Sequence, residues 1–145
     1  MSALKTIAAV ALALMLSACG GSDTSSTATT PSVITGPTTS LFEGQLDPGG
    51  SAFYSFTVTS TGLANVMLAS VTTSATPGTS LPVVLGLAIG TPLGTDCTIT
   101  NALPASPGLT SQLVNSLTPG IYCARVYDIG NLRTTIKFAI RIVHT

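Results

Sequence analysis

Three cysteines, one histidine, five carboxylates and five basic side chains are the groups in this 145-residue chain that could do chemistry. Cys19 stands apart from the other two cysteines, close behind an apolar run. Cys97 and Cys123 remain as an even pair, and in an exported domain such a pair reads as one disulfide. Two free thiols, or metal ligation together with His144, are the competing readings. His144 is next to last, and frayed termini are poor places for a positioned base, so it is expected to be an exposed tail residue. Glu43, Asp47, Asp96 and Asp128 are the carboxylates of the domain, with Asp23 ahead of it. Paired carboxylates could cleave glycosidic bonds, but no spacing places two of them together. Asp47 suits the turn with Pro48 and Gly49, and Asp128 can cap Ile129-Gly130-Asn131 through its side chain. A calcium site needs six to eight oxygens. Asp96 and Asp128, each near a half-cystine, are the weak candidates for one. The sequence has no Gly-x-Ser-x-Gly elbow, phosphate loop or Cys/His metal cluster.

Arg125, Arg133, Lys137 and Arg141 gather in one C-terminal stretch. Lys137 and Arg141 share a strand face by parity, and Arg125 with Tyr127 lies on the neighbouring outward face. Arg125, Tyr127, Lys137 and Arg141 are therefore the candidate binding face for an anion or a polymer. The plainer reading is a solvated sheet face that blunts edge pairing. The chain has no Trp, which weakens a carbohydrate reading. Basic and acidic residues balance, and charged residues make up only 7% of the chain. That leaves no basic stripe for nucleic acid and argues against disorder along the whole chain.

The setting comes from the first 19 residues. Lys5 precedes an apolar stretch, Ile7 to Leu16, and small residues follow: the layout of a secretory signal. The stretch is too short to cross a bilayer as a permanent helix, which needs about 20 residues. The run Leu16-Ser17-Ala18-Cys19 resembles the lipobox of bacterial lipoproteins. That resemblance implies cleavage before Cys19, acyl chains on its thiol and amine, and attachment to a membrane of the cell envelope. Gly20 follows the cysteine. In enteric lipoproteins an Asp there tends to retain the protein in the inner membrane, so the resemblance implies the outer membrane.

The elements that must position these groups are strands. Residues 1–18 read as the signal, 19–40 as a Ser/Thr/Gly/Pro tether behind the lipidated cysteine, and 41–145 as one domain. Within the domain, short runs with period-2 alternation are separated by Gly/Pro clusters, and no amphipathic helix is evident. Expected strands are Leu41–Leu46, Ala52–Val58, Ala64–Leu68, Val83–Ile89, Asp96–Thr100, Gln112–Leu117, Ile121–Tyr127 and Ile136–Ile142. Asp47-Pro48-Gly49-Gly50 is a strong turn. Residues 72–80 and 101–111 read as loops. The face with Val84, Gly86, Ala88 and Gly90 leaves room for close approach by another layer. Seven or eight short antiparallel strands in one domain predict an all-β sandwich.

Several of these segments carry a second resemblance. Phe42-Glu43-Gly44-Gln45-Leu46, Pro48-Gly49-Gly50 and Phe53-Tyr54-Ser55-Phe56-Thr57-Val58 are similar to the opening of the bacterial pre-peptidase C-terminal domain. Thr118-Pro119-Gly120-Ile121-Tyr122 with Arg125-Val126-Tyr127 resembles its last hairpin, and Phe138-Ala139-Ile140-Arg141-Ile142 its closing strand. The resemblance implies a jelly-roll-like sandwich, used by relatives as a non-catalytic module on exported enzymes. Some relatives bind insoluble polymers and some bind calcium. No enzyme accompanies the domain in this chain.

The expectation is a lipid-anchored envelope protein with a non-catalytic recognition module for a protein or polymer, and without a cofactor. A structural lipoprotein that associates with itself is the alternative, and a hydrolase is the remote one.

Overall fold

The computed structural model describes residues 36–73 and 79–145. The signal, Cys19 and most of the tether lie outside the described residues. Eight strands follow one another: β1 (Thr38–Leu46), β2 (Ser51–Val58), β3 (Gly62–Thr73), β4 (Leu85–Leu93), β5 (Asp96–Ala105), β6 (Leu113–Leu117), β7 (Gly120–Tyr127) and β8 (Ile136–His144). They form two four-stranded antiparallel sheets, ordered β1-β8-β3-β6 and β2-β7-β4-β5. Strands pair first with last, second with second-last and so inward, since β1 meets β8, β2 meets β7, β3 meets β6 and β4 meets β5. A long antiparallel ribbon rolled on itself gives this jelly-roll order.

Alternation explains which faces meet. On β8, Ile136, Phe138, Ile140 and Ile142 are buried while Lys137 and Arg141 are exposed. The opposing sheet contributes Leu85, Leu87 and Ile89 from β4, Ala124 and Val126 from β7, and Phe56 and Val58 from β2. The predicted turn closes as expected: the Gly50 amide donates to the Asp47 carbonyl at 2.9 Å. Gly49 there has φ 72°, which a residue with a Cβ adopts only with strain.

Three expectations are corrected. The segment read as a loop from Asn101 is strand as far as Ala105. Pro104 is tolerated there because β5 is an edge strand. The polar stretch from Thr72 begins as strand, with β3 running to Thr73. His144 is not an exposed tail residue but is 5% exposed. It continues the inward parity of β8, its Nε2 lies 3.2 Å from Ser40 Oγ, and its ring packs against Phe56 with centroids 5.1 Å apart. The chain end is held because Thr59 donates its amide to the Thr145 carbonyl and Thr145 donates its hydroxyl to the Ser60 carbonyl.

Candidate functional site

The outer face of the second sheet is built around β7. Cys123 stands opposite Gly90 of β4, whereas Cys97 pairs with Pro92, two positions further along on the far side of β4. Two flat strand spacings would separate β5 from β7 by about 9.5 Å, too far for a disulfide. The observed Cα–Cα distance is 6.0 Å, with the sulfurs 2.02 Å apart. The register shift between Ile89 and Gly90 is what allows it, because a bulge bends the ribbon and carries the start of β5 over β4 towards β7. Gly90 leaves space for that bend: a Cβ there would lie 1.9 Å from the Thr98 carbonyl oxygen.

The same bend brings Asp96 to Arg125. The guanidinium donates to the Asp96 carboxylate at 3.1 Å and to Ser51 Oγ at 3.0 Å. It also lies 6.0 Å from the centroid of the Tyr127 ring, which covers Gly86 so closely that a Cβ there would fall 2.2 Å from the ring. Arg125 is thus already partnered on three sides.

The first sheet presents a different outer face. Glu43 and Gln45 of β1 stand opposite Ala139 and Lys137 of β8. Across β8, Ser70 and Thr72 of β3 stand opposite the same two residues. Ala139 has the smallest side chain of these six, so the middle of the array is low, and a depression of about 390 Å³ opens there. None of the Glu43, Gln45, Lys137, Ser70 and Thr72 side chains has a hydrogen bond or ion pair with another described residue. One carboxylate, one ammonium, one amide and two hydroxyls therefore face the depression with free donors and acceptors.

Arg125, Tyr127, Lys137 and Arg141 consequently do not make one binding face. Arg125 and Tyr127 project from the second sheet, and Lys137 and Arg141 project from the first. Parity along each strand was right, but the two strands belong to different layers. The calcium candidates are also turned to other partners. Asp96 pairs with Arg125 and accepts from its neighbour's amide. Asp128 Oδ2 accepts from the Gly49 amide at 2.8 Å. Its Oδ1 accepts from the amides of Gly130, Asn131 and Leu132 at 2.9, 2.9 and 3.1 Å. Those four donors, Gly49 foremost, hold the Asp128 carboxyl below its ordinary value. Among the described residues no three His, Cys, Asp or Glu side chains converge as a metal site would require.

Ser40 and His144 have the atoms of a nucleophile and a base. Among the described residues no carboxylate orients the imidazole, whose Nδ1 faces the Thr145 carbonyl at 3.5 Å, beyond ordinary hydrogen-bond length. The pair closes the end of the core against Phe56. Glu43, Gln45, Ser70 and Thr72 were not foreseen as neighbours of Lys137. Their parity was readable along each strand, but the order β1-β8-β3 that gathers them was not. No protein-family model matches the chain, and no curated protein is similar to it in sequence.

Proposed function

We propose that this chain is a lipid-anchored protein of the bacterial envelope whose sandwich is a non-catalytic recognition module, related to the pre-peptidase C-terminal domains. The observation that supports recognition is the depression on the first sheet, ringed by five polar side chains that have no partner among the described residues. A partner that supplies both donors and acceptors, such as a polysaccharide or an extended peptide, is what such a surface suits. Lys137 is the residue on which the reading leans, with Arg141 further along the same strand face beyond Ala139. Arg125 is assigned to structure instead, because Asp96, Ser51 and Tyr127 already engage it.

The experiment is a pull-down from whole envelopes. Lys137→Ser with Arg141→Ser should keep the fold, since exposed substitutions usually cost within about 0.5 kcal/mol, and should weaken capture. Unchanged capture would reject this face, and a mass that grows with concentration in solution scattering would then favour the self-associating lipoprotein. The anchor is tested apart from binding. Cys19→Ser should block maturation, and mass spectrometry of membrane-extracted protein should find acylated Cys19 at the N-terminus. Unmodified Cys19 there would remove the anchor, and with it the outer-membrane location inferred from Gly20.

A further inference from the structure

One end of the sandwich is poor in charged side chains. There β1, β3, β5 and β7 begin and β2, β4, β6 and β8 end, as the pairings Thr38 with His144, Gly62 with Leu117, Val58 with Gly120 and Gly90 with Cys123 require. The two sheets are joined there by residues 59–61 and 118–119. No Lys, Arg, Asp or Glu occurs in 36–42, 57–66, 113–122 or 142–145, and the β4–β5 hairpin at the same end brings only Asp96. The nearest charges are Arg141, across from Leu41, and the Asp96–Arg125 pair, whose members neutralise each other. Leu41, Leu63, Val114 and Ile121 are nonetheless 59, 58, 47 and 59% exposed. Val143 lies among the first three, because Asn65 pairs with both Val143 and Val114. The opposite end differs: its turns contain Asp47, Asp128 and Arg133.

We infer that this end rests on a lipid surface, seating Leu41, Leu63 and Val114 of the first sheet and Ile121 of the second at the boundary between headgroups and acyl chains. The inference rests on the anchor proposed above. Cys19 precedes Gly36 by 17 positions (36 − 19), and a chain of that length spans at most about 60 Å. The described chain begins at this end, so the tether from Cys19 joins the domain where the aliphatic side chains are. Burying them in the interface removes apolar area from water. The serine and threonine hydroxyls between them can hydrogen-bond to headgroups. With Arg141 as the one basic side chain beside these aliphatic residues, contact rests on apolar burial rather than on anionic lipid or low salt, unlike a polybasic patch.

The chain lacks Trp, so one introduced Trp reports on one place. The full chain carrying Leu63→Trp, or Ile129→Trp at the opposite end, is reconstituted into phosphatidylcholine vesicles with brominated acyl chains. Parallel samples add phosphatidylglycerol or high salt. Emission of the Leu63→Trp protein should shift to the blue and be quenched equally in every sample, while the Ile129→Trp protein keeps its emission. An unquenched Leu63→Trp protein, or equal quenching at both ends, overturns the inference. Quenching that needs phosphatidylglycerol and low salt also overturns it, since basic side chains would then be responsible. A blue shift that grows with protein concentration without vesicles assigns the end to a second copy and overturns it too. The N-terminal mass of the same sample separates the two readings. Unmodified Cys19 with Leu63→Trp quenched removes the anchor and keeps the docking end. Acylated Cys19 with Leu63→Trp unquenched removes the docking end alone.

Discussion

Asp128 holds two loops with one carboxylate. Its Oδ1 gathers the amides of residues 130–132, and its Oδ2 reaches across to Gly49 in the β1–β2 turn. The sequence shows the local half of this, because an Asp before a Gly-Asn turn is a familiar cap. It does not show the bond to Gly49, which is 79 positions away. The carboxyl is held below its ordinary value of 3.8 by these amides. A depressed folded pKa gives stability that is fully present above the unfolded value and is lost as pH falls through the folded one. Asp128→Asn retains one acceptor for the local amides and loses the one for Gly49. The variant should melt at a lower temperature at neutral pH, and its further loss of Tm below pH 3.8 should be shallower than that of the parent. Thermal melts followed by circular dichroism across that range check this, and parallel curves would reject the assignment.

β4 is the element on which the second sheet's outer face depends. Its alternate positions Gly86, Ala88 and Gly90 read as a surface open to close approach, and the structure fills it with the Tyr127 ring and the bent start of β5. The two glycines differ in what they meet. A Cβ at Gly86 meets the Tyr127 ring first, whereas one at Gly90 meets the Thr98 backbone. Gly86→Ala should therefore destabilise by about 1–3 kcal/mol as overpacking does, and by clearly less when Tyr127 is also replaced by Ala. Gly90→Ala should be the more damaging and should not be relieved by that second change. Urea unfolding of the five variants (Gly86→Ala, Gly90→Ala, Tyr127→Ala and the two doubles) against the parent forms the two cycles. Equal costs for Gly86→Ala in both backgrounds would show that Tyr127 does not set the requirement.

For the whole molecule, the disulfide ties β5 to β7 across β4, which lies between them. It joins a modest core that is poor in charge. Closing a loop of 26 residues is worth roughly 3–4 kcal/mol in the chain-entropy account. Cys97→Ser with Cys123→Ser should lower unfolding stability by about that amount, read as a lower urea midpoint. Non-reducing peptide mapping of the parent should find both cysteines in one linked fragment, and free thiols at both positions would refute the bond.

Composition and alternation by themselves determined that this domain is a sandwich, where most strands lie and which side chains point inward. Those properties follow from each strand's own period of two. Even His144 was legible in this sense, since its parity matches Ile142 and only its place near the terminus argued otherwise. The tertiary structure decided which strands became neighbours. Sheet order follows from long-range pairing such as β1 with β8, and alternation is the same whichever partner a strand takes. Hence Arg125 and Lys137, alike in the sequence, stand on opposite layers. Lys137 instead meets Gln45 and Thr72 across neighbouring strands, with Glu43 and Ser70 in the adjoining row.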